Sequence, residues 1–185
     1  MRRTFILTLA CVTFSAPVYA QIRGLSISKR VVSIDYSIFP PLVDYSILVT
    51  NSGATTTDVP GYELSDQLPS ELVLLSASSV VGGITHDLLV DIPNNRVKWD
   101  GIIYSGGTLN VKIHTITRPD VPPGTLVINE ASFLVDSDDD GRFNSRIWMD
   151  AFFLTSTLIT VPTLSVTALL LLAVGITIVG ARSMR

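Results

Sequence analysis

Apolar side chains in the middle of this chain recur at every second residue, a period that α-helices cannot use and that half-buried β-strands require. Tyr45, Ile47 and Val49 alternate with Asp44, Ser46 and Thr50, although Leu48 interrupts the polar face. Leu109, Val111 and Ile113 alternate with Asn110, Lys112 and His114. Val31–Tyr36, Leu72–Ser76, Arg96–Trp99 and Leu126–Val135 are rich in β-branched and aromatic residues. Turn residues separate these stretches: Asn51-Ser52-Gly53, Gly82-Gly83, Pro93-Asn94-Asn95, Gly106-Gly107 and Pro122-Pro123-Gly124. Short strands at such spacing, with no helical period before residue 155 and no internal repeat, predict one all-β domain, an antiparallel sandwich. Trp99, Tyr45 and Phe133 are expected in its core rather than on a ligand platform.

Both ends differ from this middle. Residues 1–20 combine Arg2 and Arg3, an apolar run from Phe5 to Phe14, and small residues at Val18 and Ala20. This is the layout of a secretory signal cut by signal peptidase between Ala20 and Gln21. The apolar run is too short to span a bilayer. Cys11 is the sole cysteine and lies inside the signal, so the exported domain (21–154) is expected to be stabilised by its hydrophobic core without a disulfide.

No charged residue occurs from Ala151 to Ala181. After a linker at 155–162, Pro162 suits the first turn of a helix, and residues 163–181 extend for roughly 28 Å, matching a hydrocarbon core of about 30 Å. The run Leu169–Val174 is apolar on all sides, as expected for a single membrane span. Arg182 and Arg185, in the tail 182–185, place the C-terminus in the cytoplasm and the domain outside.

The whole chain has 13 Lys and Arg against 16 Asp and Glu. Four of the arginines lie in the end segments, which contain no acid, so the middle holds 9 basic and 16 acidic residues, a formal charge of −7. That balance argues against nucleic acid or anionic lipid as partners and is compatible with cations.

The C-terminal residues also carry a resemblance. Val161-Pro162-Thr163-Leu164-Ser165, followed by an apolar run and terminal arginines, resembles the IPTL-CTERM sorting tail, a relative of PEP-CTERM signals. The resemblance implies a Gram-negative host and recognition by an exosortase-type sorting protease. Pro162, Thr163 and Leu164 match directly, and Val161 replaces isoleucine. Val166-Thr167-Ala168 departs from the family's Glu-Trp-Gly, which leaves cleavage and permanent anchoring both open.

A second resemblance covers roughly Leu25 to Val135. Tyr45 to Gly53 is similar to the Y-x-I-x-V-x-N-x-G strand and turn of the conserved repeat domain, known as domain of unknown function eleven. Leu64 to Leu72, Val97-Lys98-Trp99 and Asn129 to Val135 resemble its later motifs in the same order. The resemblance implies an immunoglobulin-like β-sandwich in exported surface proteins, usually without catalysis.

The sharpest local motif is the acidic loop 136–147. Asp136, Asp138, Asp140 and Gly141 occupy the first, third, fifth and sixth positions of a calcium loop. Arg142 would offer its backbone carbonyl and Asn144 would take the ninth position, but Ile147 stands where a bidentate carboxylate is required. Bound calcium and a solvated acidic loop both remain open; Asp139 or Asp150 would have to complete a site, while Arg142 and Arg146 stand near enough to relieve the repulsion. His114 shares a polar face with Lys112 and is expected at the surface. His86 beside Asp87, with a serine from Ser76–Ser79, would suit a hydrolase, but no nucleophile elbow or oxyanion loop accompanies them. Two distant histidines cannot form a usual zinc site. A noncatalytic structural or adhesive module is therefore expected, with a calcium-dependent binding module and an exported hydrolase as alternatives.

Overall fold

Each alternating stretch becomes a strand whose apolar parity faces inward. The computed structural model describes residues 20–22, 24–56, 60–82, 84–86 and 88–155. The signal residues before 20, the sorting motif Val161–Ser165, the helix expected at 163–181 and the basic tail lie outside the described residues. Among the described residues no helix is long and apolar enough to cross a membrane.

The strands are β1 (Ala20–Ile22), β2 (Leu25–Asp35), β3 (Leu42–Asn51), β4 (Leu64–Gln67), β5 (Leu72–Val81) and β6 (Ile84–His86), followed by β7 (Leu89–Asp91), β8 (Arg96–Trp99), β9 (Thr108–Thr117), β10 (Leu126–Val135) and β11 (Ser145–Leu154). They form two antiparallel sheets, ordered β1-β2-β3-β9-β5-β6 and β11-β10-β4-β8-β7. A two-sheet, all-antiparallel sandwich of the immunoglobulin-like kind is the result.

Strand β3 sits in the middle of its sheet, pairing Tyr45 with Ile113 of β9 on one side and with Val31 of β2 on the other. Its inward residues Val43, Tyr45, Ile47 and Val49 are all buried, and Leu48 projects outward, 40% exposed. Leu109, Val111 and Ile113 continue the same core from β9. Trp99, Tyr45 and Phe133 are buried as expected and are among the largest enclosed side chains. Thr115, at the inward end of β9, satisfies its hydroxyl by donating to the Val43 carbonyl, 2.8 Å away.

Several elements run further than the sequence pattern indicates. β2 starts at Leu25 and bends at an irregularity between Val31 and Ser33. β5 continues through the serines to Val81. The longest addition is β11, which pairs with β10 along its whole length, from Leu126 opposite Leu154 to Val135 opposite Ser145.

Turns fall where the punctuating residues stand. Asn94 and Asn95 close the β7–β8 hairpin, and Asn95 adopts a left-handed φ of 55°. Asn51 explains the strand-end Asn-x-Gly signature. Its buried amide donates to the carbonyls of Ala54 (2.6 Å) and Ile103 (2.9 Å), while its oxygen accepts the Gly53 amide at 2.9 Å. Gly24, at a φ of 84°, lets two loops meet there, since a Cβ would lie 2.6 Å from the Gly53 nitrogen.

Candidate functional site

The β10–β11 hairpin holds the acidic loop at one end of the sandwich. Asp136 immediately follows β10 and is largely buried, whereas Asp138 and Asp140 are exposed. One carboxylate oxygen from each of these three residues lies within 4.8 Å of the others. The convergence follows from local geometry: Asp139 (φ 62°) and Gly141 (φ 80°) curl the chain back. Asp136 is then ringed by amides, accepting from Gly141 N at 2.8 Å, Asp140 N at 3.3 Å and Asp138 N at 3.4 Å.

These amides decide the charge distribution. Partial desolvation pushes Asp136 upward, but the Gly141 amide, a hydrogen bond from Asp138 and the other amides outweigh it and hold its carboxyl below the usual range. Asp138 is pushed up by desolvation, by that same hydrogen bond with Asp136 and by repulsion from Asp140 and Asp136. Three converging carboxylates are the right chemistry for a hard cation.

The rest of the calcium-loop pattern fits less well. The Asn144 oxygen accepts from the Ser137 amide (2.8 Å) and hydroxyl (2.7 Å), and its amide group donates to Asp138. Arg142 donates its own amide to Asp140, 2.9 Å away. Ile147, at the twelfth position, is buried inside β11. Arg146 lies over the Trp148 ring, 5.2 Å from its centre. Beside the loop, Asp136, Asp139, Phe143 and Phe133 border a cleft of about 320 Å³.

His114 is exposed, and its Nδ1 lies 2.7 Å from Asp44, whose other oxygen accepts from Ser33 at 2.6 Å. The β5–β6 register sets His86 opposite Ser79, which is buried and closed to a substrate. Asp87 lies outside the described residues. Ala20 and Gln21, the expected signal-peptidase boundary, both belong to β1.

A second polar group, not expected from the sequence, lies inside the sandwich. Lys29 on β2, Asp66 on β4 and Asn129 on β10 are each 0% exposed. Lys29 Nζ donates to Asp66 Oδ2 at 2.8 Å, which ties one sheet to the other. Burial drives Lys29 below its ordinary value against the pull of Asp66, and drives Asp66 above its own against Lys29 and Asn129. The available signal was parity. Lys29 follows Leu25 and Ile27, Asp66 follows Leu64, and Asn129 separates Val127 from Ala131, so each polar residue occupies an inward position.

No protein-family model matches this chain, and no curated protein matches it. Solved structures do resemble it. A chain of the RrgA Jo.In complex superposes with a TM-score of 0.54 at 10% identity, over 71% of this chain and 79% of that one. BcpA, the major pilin subunit of Bacillus cereus, superposes with a TM-score of 0.50 at 11% identity, over 71% of this chain. This chain spans 40% of the pilin's length. At such identity the likeness establishes the β-sandwich fold.

Proposed function

We propose that this chain is a noncatalytic structural or adhesive module, exported through its N-terminal signal and displayed outside the cytoplasmic membrane by its C-terminal helix. One observation carries the reading: the described residues form a two-sheet sandwich whose fold is similar to that of a pilin subunit. The lack of a nucleophile elbow or an oxyanion loop in the sequence around His86 supports a role without catalysis. The IPTL-like tail, Val161 to Ser165, supports sorting by an exosortase-type protease, and the arginines after the helix support an outward-facing domain.

Cell fractionation with protease treatment of spheroplasts tests this. The domain is expected in the envelope fraction, digestible from outside, with a mature N-terminus at Gln21. A full-length cytosolic product retaining Met1 would refute it.

A calcium-dependent form of the same module is the second reading, favoured by the convergence of Asp136, Asp138 and Asp140. Calorimetric titration with calcium should give heat that vanishes in the triple alanine variant of these residues. Absence of heat with the unaltered protein eliminates this reading and leaves the first intact.

A further inference from the structure

A buried ion pair alone does not account for the three polar groups between the sheets. Lys29 and Asp66 satisfy one another on one side only: Asp66 Oδ1 has no hydrogen-bond partner among the described residues. Asn129 is stranger. Both its amide nitrogen and its oxygen lack a hydrogen-bond partner there, although the side chain is fully enclosed. A carboxamide unpaired at both ends is an expensive choice for a residue that merely fills space.

The register brings the three groups together. Asp66 pairs with Ala131 across the β4–β10 ladder, which makes Asn129 its diagonal neighbour on the same inward face, roughly 7 Å away. The carboxamide also lies close enough to favour the charged form of Asp66. Lys29 enters from the opposite sheet, with its Nζ 5.7 Å from the centre of the Tyr45 ring. A primary amine, a carboxylic acid and a carboxamide thus share one water-excluded space.

We propose that Lys29 Nζ and Asn129 Cγ become joined by an amide bond, formed with Asp66 as the acid–base group and releasing ammonia, so that β2 and β10 are covalently linked across the sandwich.

The chemistry balances without a co-reactant. The neutral Lys29 amine attacks Asn129 Cγ while protonated Asp66 donates to the carboxamide oxygen, giving a tetrahedral centre. Asp66 then removes a proton from the new C–N nitrogen and delivers it to Nδ2. The Cγ–Nδ2 bond breaks, the oxygen's proton returns to Asp66, and one ammonia leaves. Enclosure favours this sequence, because burial disfavours the charged forms of both Lys29 and Asp66. The charges facing Lys29 are Asp66 and, more distantly, Asp150 and Glu130; all three oppose the loss of its proton. Attack therefore draws on the fraction of pairs in which the proton resides on Asp66. The two reacting groups are held on separate rigid strands, which supplies the orientation such a condensation needs. The resulting cross-link does for a chain whose only cysteine is Cys11 what a disulfide does elsewhere.

Peptide mapping of the full chain, denatured and digested with trypsin, tests the proposal independently of where the protein is displayed. The expected product joins Gly24–Arg30 to Ile113–Arg142 at one ammonia below their summed mass, with no cleavage after Lys29. Asn129→Ala should abolish it, and Asp66→Ala should lower its yield at least tenfold. Recovery of Gly24–Lys29 and Ile113–Arg142 as separate unmodified peptides from the folded protein would overturn the bond. A product one water lighter, linking Lys29 to the Asp66 peptide, would overturn the assignment of Asn129. Full linkage in Asp66→Ala would overturn the role given to Asp66. The map of the unaltered protein decides the bond itself, however the variants fold.

Discussion

Lys29 and Asp66 meet in the interior from opposite sheets, Nζ to Oδ2 at 2.8 Å, with neither side chain exposed. Such a contact costs desolvation on both sides, so removing one member is far more damaging than removing both. Lys29→Met should lower the unfolding free energy by about 3–5 kcal/mol for the stranded Asp66 carboxyl, in addition to what the proposed cross-link contributes. Adding Asp66→Leu should recover part of that loss. Urea titrations of the single and double variants measure this; an unchanged midpoint for Lys29→Met would contradict it.

Asn95 stitches the β7–β8 hairpin to the other sheet's β5. Its oxygen accepts the Leu74 amide at 2.7 Å, and its amide donates to the Leu72 carbonyl at 2.9 Å. Its left-handed φ of 55° adds a conformational demand. Asn95→Ala should cost about 1–3 kcal/mol, since it leaves part-buried backbone groups unpaired. Asn95→Gly relieves the strain but restores no bond, so it should fall between the two. Thermal unfolding of the three proteins tests that order.

Asp91 gives an acid-side prediction. The Asn94 side chain donates to both of its oxygens at 2.9 Å, and Arg96 lies 2.9 Å from Oδ2. The Asn94 side-chain hydrogen bond is the largest influence; with help from Arg96 and the Asn94 amide it outweighs desolvation and holds the carboxyl below the usual 3.8. A depressed folded value means that the stabilisation is complete above 3.8 and is lost as pH falls through the lower folded value. Asp91→Asn should therefore be less stable at neutral pH, and the difference should shrink in acid. An equal difference at both would contradict the sign.

Much of the sandwich was legible because β9 alternates cleanly, each inward apolar residue flanked by polar ones, and β3 does so with the single interruption of Leu48. β11 was not. Trp148, Phe152 and Leu154 project outward, 52%, 39% and 47% exposed, so apolar residues occupy both faces and the period of two is lost. β4, β6 and β7 are too short for any period to register. The acidic loop was visible as a motif, but its closing residue depends on β11, which places Ile147 in the core. The interior group stayed hidden for a different reason. The expected strand began at Val31, two residues beyond Lys29, and Asp66 and Asn129 fell within segments that served as strand signatures. Only the pairing of three separate strands turns those positions into neighbours.

Stretching single molecules tests most directly whether the two sheets of this structural module are fastened from within. Pulled by the two ends of the sandwich, the unaltered protein should lengthen only by the segments outside Lys29 and Asn129. The enclosed residues 30–128 would withhold roughly 340 Å of chain, at 3.3–3.6 Å per residue. Asn129→Ala should release that length in full. Equal extension of the two proteins would contradict the claim.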